Sequence, residues 1–167
     1  MGLVQVATST VTSSTANVTL TGIDDDSIYL LTVSNLSTAS DAQLRLQFTV
    51  SGSADTSSNY DEAHYYLQSN TTFSTFTRQN ASEITLTATV QNSESGNAGL
   101  LCYLYNLNNS SEYSFLNVES VFYASTNNVR GFCGGGVLTE TQSNDGINLL
   151  MNSGNIEGGT FTLYKVV

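Results

Sequence analysis

The chain's one histidine, His64, lies in the run Asp61-Glu62-Ala63-His64-Tyr65-Tyr66 and is the first place to look for chemistry. A hydrolase would use its imidazole as general base on a serine, with Asp61 orienting the ring. Serine and aspartate are so frequent here that their nearness carries little weight, and no G-x-S-x-G elbow is present. The expectation is that no residue is catalytic. Asp24-Asp25-Asp26 offers the oxygen ligands that calcium prefers. Calcium wants about six to eight of them, the EF-hand spacing is missing, and three consecutive acids cannot all face one ion. An acidic turn between strands is the plainer reading, and no metal or cofactor is expected.

The run Gly131-Phe132-Cys133-Gly134-Gly135-Gly136 has neither the G-x-G-x-x-G order nor a following Lys-Ser/Thr, so it is not read as a phosphate cradle. Glycines bunched in a strand point to a bend, a bulge or a close approach of another backbone, which in an assembly would belong to a neighbouring subunit. Cys102 and Cys133 allow at most one bridge, and with a single histidine the usual zinc sites are excluded by count. Both are expected as small buried apolar residues, with their pairing left open.

The aromatic content is nine Tyr and seven Phe with no Trp. Tyr65, Tyr66, Tyr103, Tyr105 and Tyr123 are the candidates for interface or ligand contact, because an amphipathic ring serves a wet boundary well. Alternation puts Tyr103 and Tyr105 on one face, with Cys102 and Leu104 on the other.

Four basic residues (Arg45, Arg78, Arg130, Lys165) stand against fourteen acidic ones, for a net charge of -10. Four scattered cations cannot make the basic stripe that phosphates need, so nucleic acid is not an expected partner. The same sign argues against anionic membranes, and no apolar run approaches the length of a membrane helix. The first ten residues lack the charged and apolar regions of a secretory signal.

The elements that would carry these residues read as strands. Val18 and Leu20 alternate with Thr19 and Thr21; Leu44, Leu46 and Phe48 with Arg45, Gln47 and Thr49. Ile84, Leu86 and Ala88 alternate with Thr85, Thr87 and Thr89; Phe161 and Leu163 with Thr162 and Tyr164. Period two of this kind marks strands with one wet face. Turn clusters of Gly, Asn, Asp and Ser punctuate them, over residues 22–26, 51–59, 92–97 and 152–159 among others, and there is no proline. Helical patterning is confined to one turn around residues 61–68. The expected fold is all-β: an antiparallel β-sandwich, jelly-roll-like, of about ten short strands. Residues 1–167 form one domain, with residues 1–12 as an N-terminal arm or edge strand.

Both ends of the chain resemble virion proteins of tailed phages, marine and cyanobacterial ones in particular. One stretch runs from Leu3-Val4 through Val18-Thr19-Leu20 and Gly22-Ile23-Asp24 to Ile28-Tyr29-Leu30-Leu31. A second holds Asn35-Leu36, Asp41 and Leu44-Arg45-Leu46. The third runs from Asp145-Gly146-Ile147 through Ser153-Gly154-Asn155-Ile156 to Gly159-Thr160-Phe161-Thr162-Leu163-Tyr164. It looks like the C-terminal β-domain of fibre-like and head-decoration proteins, although Lys165 stands where that family usually has Gly.

The resemblance implies a non-enzymatic virion protein, and the chain has no coiled-coil or collagen-like shaft of a fibre. The expectation is therefore a capsid decoration or cement protein. Its partners would be further copies of itself, as a trimer, and the major capsid protein. The rival expectation is a receptor- or glycan-binding head on a tail or head fibre, which needs an exposed Tyr cluster to meet a host-surface glycan.

Overall fold

The computed structural model describes residues 2–70, 73–92 and 98–167, and among these every regular element is a strand. In chain order they are β1 (Leu3–Val11), β2 (Asn17–Thr21), β3 (Tyr29–Thr38), β4 (Leu44–Val50), β5 (Ser53–Ala54), β6 (Tyr60–Gln68) and β7 (Ser74–Ala81). There follow β8 (Ile84–Thr85), β9 (Ala98–Tyr105), β10 (Tyr113–Ala124), β11 (Asn128–Thr141), β12 (Gly146–Met151) and β13 (Ile156–Val166). The turns predicted over residues 92–97 lie, from 93 on, outside the described residues.

The strands form two antiparallel sheets packed face to face. The larger has the order β1-β13-β3-β9-β10-β11-β6-β7; the smaller has β2-β12-β4-β5, with β8 also paired to β4. The chain crosses repeatedly between them, as in a jelly roll. Alternation sets the faces. In β10 the residues Ser114, Leu116, Val118, Ser120 and Phe122 are buried, while Phe115, Asn117, Glu119 and Val121 face out. Tyr29, Phe48, Tyr60, Phe132 and Phe161 are the largest fully buried side chains and fill the space between the sheets.

Four expectations are corrected or narrowed. The described residues form thirteen strands where about ten short ones were expected, and β10 and β11 run to 12 and 14 residues. The turn of helix around residues 61–68 is strand β6, paired on both sides, by β11 and β7. Its apolar residues at Tyr60, Tyr66 and Leu67 allow either period, and two waiting partner strands decide for period two. Of the two alternatives for residues 1–12, the edge strand forms and the free arm does not: β1 pairs with β13 of its own sheet from Leu3↔Val166 to Val11↔Gly159, at the sheet's edge.

The fourth correction concerns the wet faces read for residues 44–49 and 84–89. Gln47, Thr49, Thr85 and Thr87 are buried. Their polar atoms are satisfied instead of solvated. The Gln47 amide donates to the Ser82 carbonyl at 3.1 Å, and Thr49 donates to Asp145 at 2.6 Å. Thr87 accepts from the Leu44 amide at 2.9 Å.

Candidate functional site

Two features of the larger sheet bear on function, one on each of its faces. On the inward face β6 presents Glu62 and His64, in register with Gly136 and Gly134 of β11. The glycines are needed for space. A Cβ at Gly134 would lie 2.3 Å from the Ala63 carbonyl oxygen and 2.6 Å from His64 Nδ1; one at Gly136 would lie 2.8 Å from Ile84. The close approach expected of this run is thus met within the chain.

The Glu62 carboxylate accepts from His64 Nε2 at 2.9 Å, from the Thr85 amide at 2.6 Å and from Thr85 Oγ1 at 3.1 Å, and it also pairs with Arg78 Nε. Arg78 continues to the Glu83 carbonyl at 2.8 Å, and Glu83 also pairs with Arg45. Burial works to raise the Glu62 carboxyl, but the bonds from His64, Thr85 and Arg78 outweigh it and hold the group below its ordinary range. Glu83 is held low in the same way, by Ser82, Arg45 and Arg78 against burial.

This arrangement clamps the sheets, tying β6 and β7 of the larger to β8 and β4 of the smaller. Asp61 points to the opposite face from His64 and accepts from the Asn80 amide at 2.9 Å, so it orients nothing. The imidazole stacks on Phe132 with centroids 4.3 Å apart, and its buried Nδ1 has no partner. Sequence reading passed over Glu62, Arg78, Glu83 and Arg45. The alternation Tyr60, Glu62, His64, Tyr66 was the available signal, since it places a carboxylate on the same face as a core tyrosine.

The outward face is unusual for an acidic chain. Register aligns Leu101, Glu119, Cys133 and Tyr65 in one row across β9, β10, β11 and β6. Neighbouring rows hold Gly99, Val121, Gly131 and Leu67 on one side, and Tyr103, Asn117, Gly135 and Ala63 on the other. A further row holds Tyr105, Phe115, Val137 and Asp61. Of thirteen exposed large hydrophobics, seven lie on this face: Tyr65, Leu67, Leu101, Tyr113, Phe115, Val121 and Val129. That concentration makes a patch, where single exposed apolar residues would need no explanation.

The glycines also shape this face. Above Gly135 a groove of about 720 Å³ runs between Phe115 and Val137 on one side and Asp61, Thr77 and Gln79 on the other. Phe115 also walls a second groove of about 470 Å³, with Asn106, Glu112, Tyr113 and Thr141.

The five candidate tyrosines do not form one cluster. Tyr65, Tyr103, Tyr105 and Tyr123 belong to the outward face, but β10 and β11 separate Tyr65 from Tyr103. Tyr66 is on the inward side, its ring 5.2 Å from Phe132 and 6.2 Å from Phe76, with Arg130 over it at 6.0 Å. Tyr105 is tethered by its hydroxyl, which donates to Asn117 at 2.9 Å.

Cys102 and Cys133 are unpaired: Cys102 is buried on the inward face of β9, and Cys133 sits half-buried on the outward face of β11. Only the first is the buried residue expected. Of the three acids at 24–26, Asp24 and Asp25 both meet Lys165 and Tyr29, while Asp26 turns away and accepts from Asn109 at 3.0 Å.

No protein-family model matches the chain, and comparison with curated proteins finds no match. Among solved structures the chain is similar to part of an exo-inulinase from Aspergillus awamori, at 12% identity and a TM-score of 0.49. The likeness covers 98% of this chain but 29% of the exo-inulinase. It is also similar to the galectin LEC-6 of Caenorhabditis elegans, at 11% identity and a TM-score of 0.33, covering 96% of this chain and 95% of that one. At such identities the likeness concerns the fold alone.

Proposed function

We propose that this chain is a non-enzymatic structural protein of a bacteriophage particle, a decoration or cement protein that coats the capsid as a homo-oligomer. The observation that carries the reading is the apolar outward face of the larger sheet. Tyr65, Leu67, Leu101, Val121 and Val129 are all about half exposed there, on adjoining rows of three strands and their neighbour. Side chains of this size, half exposed, leave on the order of 500 Å² of apolar surface. That is a large part of the roughly 800 Å² which each partner commonly contributes to a stable interface.

A second copy suits this surface better than an unrelated acidic or basic partner. The chain carries a net charge of -10, yet Glu119 is the one charged residue among these rows at the patch. Two copies meeting here keep most of their like charges apart. The resemblance of both chain ends to phage β-domains points to the particle, and two packed sheets suit crowded symmetric assembly.

Two measurements test the reading. A label on this chain in electron micrographs of the particle is expected over the capsid; signal confined to the tail tip would overturn the capsid placement. Sedimentation at micromolar concentration is expected to give a closed oligomer, and a monomer would remove the role given to this face.

A further inference from the structure

We propose that the two grooves meeting at Phe115 form a binding site for a neutral oligosaccharide, independent of where on a particle the chain resides. Phe115 is 43% exposed and walls both grooves, and Tyr113, two residues before it on β10, continues the aromatic surface outward. Polar side chains flank these rings. Asp61, Thr77 and Gln79 line the first groove; Asn106, Glu112 and Thr141 line the second.

Most of these polar groups are not spent on the fold; the Asn106 amide alone donates to a carbonyl, that of Tyr113 at 3.4 Å. Asp61 uses one carboxylate oxygen, Oδ1, for the Asn80 amide. The side chains of Thr77, Gln79, Glu112 and Thr141 make no hydrogen bond to the described residues, whereas inward-facing polar groups of the same strands are bonded several times over. An aromatic wall beside free acceptors and amides suits a ligand with apolar C–H faces and hydroxyl rims, which is the chemistry of a sugar ring. Two grooves sharing one wall suit a chain of such rings in preference to a single one.

Charge and backbone narrow the class. Asp61 and Glu112 bring negative charge to both grooves. Arg78 also lines the first, but its guanidinium is already committed to Glu62 and Glu83. A phosphorylated or carboxylated ligand would meet repulsion with no cation to offset it. An extended peptide gains its affinity by adding to a sheet edge. Here the floor strands β10, β11 and β6 are paired on both sides; the free ladder of the edge strand β7 points away from the groove, beyond its Thr77–Gln79 rim.

The test is an immobilised array of neutral and acidic oligosaccharides probed with the full chain, followed by titration of the best ligand. Selective retention on neutral glycans is expected. Phe115→Ala is expected to weaken that binding at least tenfold, Gln79→Ala several-fold, and Val50→Ala on the smaller sheet not at all. Thermal melts of the variants check folding; should Phe115→Ala melt early, Gln79→Ala decides. Absence of binding to every neutral glycan, preference for acidic ones, or full affinity in folded Phe115→Ala or Gln79→Ala protein would each overturn the proposal.

Discussion

His64 donates its Nε2–H to Glu62 at 2.9 Å across the inward face of one strand, and the pair stands over Gly134 and Gly136 of the next. Carboxylate, ring and glycines form one unit. The carboxylate is fully buried and tolerable only because four donors surround it, and the ring fits only because the facing residues lack a Cβ.

Removing the carboxylate therefore costs more than removing the ring. Glu62→Ala leaves the Thr85 amide and the Arg78 guanidinium facing an empty space, and should destabilise by about 3–5 kcal/mol in urea unfolding. His64→Phe keeps the stack on Phe132 and leaves Glu62 with three other donors, so it should cost clearly less. Equal losses would mean that the ring, not the charge, organises the clamp.

The network also sets the acid limit. Glu62 and Glu83 are held below their ordinary range in the folded chain, while in the unfolded chain they titrate at about 4.3. The unfolded state then binds more protons in acid, so stability rises with pH there. Their contribution is fully present above about pH 5 and is lost as the pH falls through the depressed folded values. Melting temperature against pH should show this decline, and Glu62→Gln should flatten part of it.

The glycine run can be tested by position. Gly134→Ala puts a methyl 2.3 Å from a carbonyl oxygen, in backbone that cannot yield, and should cost about 3 kcal/mol or prevent folding. At Gly99 the nearest obstacle is 3.6 Å away, so Gly99→Ala should change stability by less than about 1 kcal/mol. A comparable loss at Gly99, on β9, would show that the clash with a facing backbone is not what sets the cost at Gly134 of β11.

The two thiols should separate chemically. Burial pushes the Cys102 thiol far up, which keeps it protonated and unreactive, while Cys133 opens to the outward face. A thiol reagent on the native protein should label Cys133 alone, and Cys102 only after denaturation. Rapid labelling of both would contradict the packing of β9.

Self-association has its own variant. Val121→Glu places a second carboxylate two residues from Glu119 on the same face of β10. If that face joins copies, the oligomer should dissociate while the melting temperature of the isolated fold changes little, as judged by sedimentation and calorimetry. An unchanged oligomer would move the interface elsewhere.

Most of the sheet was legible in the sequence because one face of each strand is apolar and the other polar. Phe161 and Leu163 of β13 are buried where alternation put them, although Thr162, read as wet, is buried as well. It failed where polarity did not mean solvent. Gln47, Thr49, Thr85 and Thr87 have the pattern of a wet face but are buried: Ser82 and Asp145 of nearby turns bond the first two, and Glu62 and the Leu44 amide of facing strands bond the others. The sites were less legible. Tyr65, Tyr103, Tyr105 and Tyr123 share the outward face, but their distances from one another depend on strand order, which periodicity does not carry. Phe115 went unnoticed because its value comes from Gly135 on another strand, which opens the groove beside it. The Glu62 clamp needs β6, β7 and β8 brought together from two sheets.

Strand β13 lies between β1 and β3, and β12 lies between β2 and β4. The last two strands of the fold are thus inner strands of both sheets. Until residue 166 is free, Leu3 has no partner and the opening strands must wait with their ladders bare. Loop closure over such a span makes assembly slow. The early β segments need protection from one another in the meantime.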